Sequence, residues 1–124
     1  MSTLKTSNIQ DTSGNNNSTP EQINQGRAKA WVSFDGTATD VSSTANGYNV
    51  STITDEGDGQ YTINFTTDFA NTNYAVTHGA TYAAGNGYYH FYDNEAVGSI
   101  SIRFISSAGS YTNPAHVSCV VFGD

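Results

Sequence analysis

The strongest constraint in this sequence is a two-residue rhythm confined to short runs. In Gln60-Tyr61-Thr62-Ile63-Asn64-Phe65-Thr66, polar and apolar side chains alternate, so Tyr61, Ile63 and Phe65 share one side. That period belongs to a half-buried strand, because a helix repeats its faces every 3.6 residues. Ala30-Trp31-Val32-Ser33-Phe34 alternates too, with Ala30, Val32 and Phe34 on one face, and Asp35-Gly36 ends it as a turn. Tyr48-Asn49-Val50-Ser51-Thr52-Ile53-Thr54 is a third run. Asp55-Glu56-Gly57-Asp58-Gly59 carries dense turn chemistry between it and residues 60–66, which predicts a hairpin.

The same punctuation continues. Asn71-Thr72-Asn73 precedes Tyr74–His78, and Gly85-Asn86-Gly87 precedes Tyr88–Tyr92. Gly98 opens Ser99–Ile105. Ala108-Gly109-Ser110 and Asn113-Pro114 separate that run from a final strand over 115–122. Seven or eight short strands at this spacing, with no helix, predict an all-β fold: an antiparallel β-sandwich or jelly-roll-like domain. One domain is expected at 124 residues.

Composition supports this reading. Apolar residues make up 36% and charged residues 12%, against about 45–50% and about 25% in ordinary globular chains. Thr, Ser, Asn and Gly fill the gap, and the first three compete with helical hydrogen bonds. The net charge of −7 opposes a nucleic-acid partner, which needs clustered Lys and Arg. It also opposes docking on an anionic membrane, and no apolar stretch is long enough for membrane insertion. The chain lacks a basic-then-apolar leader, so release by cell lysis or by assembly into a particle is expected.

Residues 1–26 read differently. Asp11-Thr12-Ser13-Gly14-Asn15-Asn16-Asn17-Ser18-Thr19-Pro20 has almost nothing to bury and cannot offset the entropy of ordering. Leu4, Ile9 and Ile23 are the side chains that could dock such an extended arm. Residues 27–124 form the expected head, and carry −6 of the net charge.

Catalytic and metal signatures are sparse. His78, His90 and His116 each fall in an expected strand, and zinc accepts three histidines; their spacing matches no metal motif. Asp55–Gly59 resembles the start of a calcium loop but lacks the closing Glu. The acids that a glycan hydrolase would need lie in turns, and no Ser-His-Asp order, GxSxG or P-loop is present. Cys119 is the only cysteine, in an apolar run, and is expected to be a buried structural thiol. No cofactor or enzymatic activity is expected.

The most informative feature is aromatic. Tyr82, Tyr88, Tyr89, Phe91 and Tyr92 crowd around Gly85-Asn86-Gly87. Alternation puts Tyr88, His90 and Tyr92 on one face and Tyr89 and Phe91 on the other. Tyr offers ring area plus a directional hydroxyl, which suits binding. Tyr82, Tyr88, Tyr89, His90 and Tyr92 are therefore the candidate binding residues. A subunit interface and simple core packing stand beside that reading.

Several segments carry a resemblance. They are Gly26–Thr37 (Gly-Arg-Ala-Lys-Ala-Trp-Val-Ser-Phe-Asp-Gly-Thr), Tyr48–Asp55, Gly59–Thr67, Asn73-Tyr74-Ala75-Val76 and Val120-Val121-Phe122-Gly123-Asp124. Together they resemble the C-terminal domain of tail-fibre-like virion proteins of marine and cyanobacterial phages. Met1–Lys5 and Ile9–Gly14 resemble the N-terminal stretch of the same proteins. The resemblance implies a virion structural protein at the particle surface. It would be a homo-oligomer, in such proteins a homotrimer, joined to other virion proteins through residues 1–26. The head would serve host attachment through a cell-surface glycan or protein. No shaft separates arm from head, so capsid decoration is the alternative implied, and a glycan-active enzyme a more distant one.

Overall fold

A computed structural model describes every residue except 82–86. Among the described residues eight strands form: β1 (Ala30–Phe34), β2 (Asn46–Tyr48), β3 (Val50–Gly57), β4 (Gln60–Phe65), β5 (Ala75–Ala80), β6 (Tyr88–Ala96), β7 (Ser99–Ser106) and β8 (Val117–Phe122). They make two antiparallel four-stranded sheets, in the orders β2-β1-β8-β5 and β3-β4-β7-β6. The fold is an all-β sandwich.

The alternation read from the sequence builds the core. Ala30, Val32, Phe34, Tyr61, Ile63 and Phe65 are all buried, facing Ile100, Ile102 and Phe104 of β7 and Val117, Cys119 and Val121 of β8. The expected hairpin is β3–β4, with Ile53 opposite Ile63. Its turn needs glycine at Gly59, where φ is +62° and a Cβ would lie 2.5 Å from the Phe104 carbonyl oxygen. Asp55 Oδ1 accepts from the Gly57 amide at 3.0 Å, so this acid serves the turn.

Tyr61 ties the core to two distant loops. Its hydroxyl lies 2.9 Å from both the Gly36 carbonyl oxygen and Asn113 Oδ1. Asn113 Oδ1 also accepts from the Gly59 amide at 2.6 Å, and its Nδ2 donates to Asp58 Oδ1 at 3.2 Å. A single side-chain amide thus holds the β3–β4 turn against the segment before β8.

One side of the sandwich is sealed. The expected run 48–54 is split at Asn49, where φ of +56° carries the chain from β2 in one sheet to β3 in the other. Asn49 Oδ1 accepts from the Thr67 amide at 2.7 Å. Ser42 Oγ donates to the Ile53 carbonyl at 2.8 Å and accepts from its amide at 2.6 Å, covering the free edge of β3. The opposite side is formed by β5 and β6, the outer strands of their sheets.

Three expectations need correction. The arm is not simply extended, and a helix is present: α1 (Pro20–Gly26). Thr19 caps it by accepting from the Gln22 amide, while Gln22 reaches back to the Thr19 amide, and Pro20 sits at the first turn. Upstream, Ile9 and Ser18 bridge, and Asp11 Oδ1 accepts from the Ser13 and Asn15 amides at 3.0 and 2.8 Å. Local side-chain acceptors fold this segment back without a core. The last strand starts at Val117, so His116 is exposed and outside it.

Candidate binding site at the open edge

On the open side, strand pairing sets what each residue faces. Tyr88, His90 and Tyr92 of β6 stand opposite Ser106, Phe104 and Ile102 of β7. Cross-strand partners share a face, so these three turn toward the sandwich interior. Tyr89 and Phe91 turn outward, 70% and 41% exposed. From β5, Val76 and His78 face inward, opposite Val121 and Cys119.

His78 and His90 therefore meet across the gap between the sheets. Their rings contact edge to face, with centroids 4.6 Å apart. Phe104 lies beneath both, at 5.7 Å from His78 and 6.1 Å from His90, and Tyr92 flanks His78 at 6.1 Å. Val76, Thr77, His78, His90, Phe91 and Tyr92 line an open cleft of about 400 Å³.

The electrostatics are those of a half-dry cleft. Burial, and then the neighbouring His90, lower His78 from the usual 6.5 to about 4. His78 is thus neutral at neutral pH, and its buried Nδ1 has no hydrogen-bond partner among the described residues. On the outward face, Arg103 Nη2 stands 3.5 Å from Asp93. Burial pushes the Cys119 thiol up to about 12, so it is no nucleophile near neutrality.

The edge also offers backbone groups. The Gly87 carbonyl accepts from the Ser107 amide at 2.9 Å, which fixes the phase of β6. Residues alternate in the direction of their peptide groups along an antiparallel pair. The N–H and C=O of Tyr88, His90 and Tyr92 consequently point away from β7. An extended ligand could pair there while its rings or side chains rest on the aromatic residues.

Four of the five candidate binding residues come together here. Tyr88 is half-buried and packs edge-on against Phe104 at 6.4 Å, so it serves the core. Tyr89, His90 and Tyr92 are exposed. Tyr82 lies outside the described residues. The site gains Phe91 and His78. Phe91 was visible in the aromatic run. No linear signal showed that His78 would face β6, because only the sheet order makes β5 and β6 neighbours. Among the described residues, no group of three His, Cys, Asp or Glu side chains could hold a metal ion; His116 stands apart from the other two.

The arm residues also converge. Leu4, Ile9 and Ile23, with Pro20, line one apolar cleft of about 510 Å³. They remain 86%, 53% and 43% exposed.

The class defined by these features is a two-sheet antiparallel sandwich with one sealed and one open, aromatic side. Comparison with protein-family models, with curated proteins and with solved structures gave no match for this chain.

Proposed function

We propose that this chain is a virion surface protein of tail-fibre type. Residues 1–26 join it to the particle, and the sandwich of residues 27–124 presents its open edge to a host-surface glycan or protein. The observation that carries the reading is the division of apolar surface. No residue in 1–29 is buried, yet Leu4, Ile9 and Ile23 gather around an unfilled cleft. Such a cleft suits an assembly partner. The exposed Tyr89, Phe91 and Tyr92 at the other location suit a ligand with flat apolar faces and hydroxyls. The role is one of binding and assembly, with copies of the chain associating in the particle.

Particles lacking the protein test this. Lost adsorption to host cells with intact capsid stability supports attachment. Unchanged adsorption with weakened capsids would replace it by a decoration role. Release of product from host polysaccharide by the purified chain would instead make it a glycan-active enzyme.

A further inference from the structure

Of the four basic side chains in the sequence, Arg103 is the one that lies in a strand. It stands on the outward face of the β3-β4-β7-β6 sheet, between Gln60 of β4 and Phe91 of β6. Tyr89, Ile105 and Tyr111 form the row on one side of it, and Asp93, Ser101 and Thr62 the row on the other. A positive side chain is thus bordered by three exposed aromatic rings, Tyr89, Phe91 and Tyr111.

The chain itself serves this guanidinium poorly. Arg103 is 11% exposed at its side chain, so it is largely withdrawn from water. A basic residue kept only for solubility would hold its charged head in solvent. Asp93 Oδ1 lies 3.5 Å from Nη2, long against about 2.7–2.9 Å for a charge-assisted bond. Nη1 is buried and has no hydrogen-bond partner among the described residues. No second carboxylate pairs with the group among those residues. A buried donor left unmade is costly, and more so on a charged group.

We propose that Arg103 anchors the carboxylate of an acidic glycan laid across this sheet face. The ligand's carboxylate takes the two terminal nitrogens together and displaces the long contact from Asp93. The planar fork of arginine matches a carboxylate in this bidentate way. The sugar rings then rest on Tyr89, Phe91 and Tyr111, where ring area and tyrosine hydroxyls are both on offer. A peptide added to the free edge of β6 fits less well. Arg103 on β7 would be two strand spacings from it, roughly 9–10 Å, with Phe91 between. At about 0.15 M salt the chain's net charge of −7 is screened beyond about 8 Å, whereas the guanidinium acts at hydrogen-bonding distance. The inference rests on the glycan-binding reading above and names its ligand class.

The test is calorimetric titration of the full-length chain with two acidic probes, tetragalacturonate and sialyllactose. Their neutral counterparts are maltotetraose and lactose, and a glutamate-rich peptide is the third arm. At least one acidic probe should bind about tenfold tighter than its counterpart. Arg103→Gln should remove that preference. Asp93→Asn frees the guanidinium from its competitor and should tighten the acidic probe severalfold, which a purely structural ion pair would not do. Should Arg103→Gln not fold by circular dichroism, Arg103→Lys keeps the charge without the fork and should lose most of the preference. Tyr48→Gln, on the other sheet, should change nothing. A preference that survives the Arg103 substitutions, or no tightening with Asp93→Asn, overturns the anchor. Equal binding of acidic and neutral probes overturns the acidic class and leaves glycan binding standing. Preference for the peptide overturns the glycan and gives the carboxylate to a protein. If no probe binds, the inference falls, while adsorption of particles lacking the protein decides attachment separately.

Discussion

His78 and His90 touch edge to face, ring centroids 4.6 Å apart, where the two sheets part on the open side of the sandwich. The groups facing His78 are His90 and Tyr92 from β6, Phe104 from β7 and Cys119 from β8. None is an acid that would stabilise an imidazolium.

Acid should therefore loosen this side. His78 is held at about 4 in the folded chain against 6.5 for the free group. Between those values the unfolded chain binds the extra proton, so stability falls as pH falls from about 6.5 toward 4. Below that window both states are protonated and this contribution stops changing. The ring is only half enclosed, which reduces the loss to on the order of 1–2 kcal/mol. Urea denaturation at about pH 7 and about pH 4.5 measures it, and His78→Gln should flatten the difference. Equal acid sensitivity in the variant would remove His78 as the cause.

The Tyr61–Asn113 tie should matter more from the Asn113 side. Tyr61→Phe removes one buried hydroxyl and should cost about 1 kcal/mol. Asn113→Ala leaves the Gly59 amide and the Tyr61 hydroxyl without their shared acceptor, and should cost about 2–3 kcal/mol. Equal losses in thermal melts would show that the loop tie is not carried by Asn113.

Phe104 is fully buried under both histidines and against Tyr61. Phe104→Ala should destabilise the chain by about 3–5 kcal/mol. Tyr89→Ala, at a side chain 70% exposed, should change stability by less than about 0.5 kcal/mol. It should nonetheless reduce adsorption of particles to host cells. Full adsorption with Tyr89→Ala and Phe91→Ala combined would exclude these rings as the contact.

Deleting residues 1–24 should leave β-type circular dichroism intact, because no residue there is buried. Incorporation into particles should be lost. An unfolded product would instead make the arm part of the folding unit, despite its exposure.

Much of this was legible in the sequence where one physical signal dominated. The alternation at Ala30–Phe34 and Gln60–Phe65 gave the core faces, since a strand with one buried side has little freedom of register. The arm went wrong for a local reason. Thr19-Pro20-Glu21-Gln22 is a capping box with proline at the helix start, and four residues of capping chemistry outweighed a polar composition. The tyrosine faces were readable from Tyr88–Tyr92 alone. Their meeting with His78 was not, because strand order in a sandwich depends on pairings far apart in the chain.

The pairing of β1 with β8 joins Phe34 to Val117. On a ribosome adding about 5–20 residues per second, the ~80 residues between them take on the order of 4–16 s. For that interval β1 has only β2 beside it, and the first sheet lacks its central seam. The nascent chain thus carries one edge of β1 unmatched while β3 to β7 are made. Crowded translation, rather than the finished sandwich, is where this protein is most exposed to misassembly.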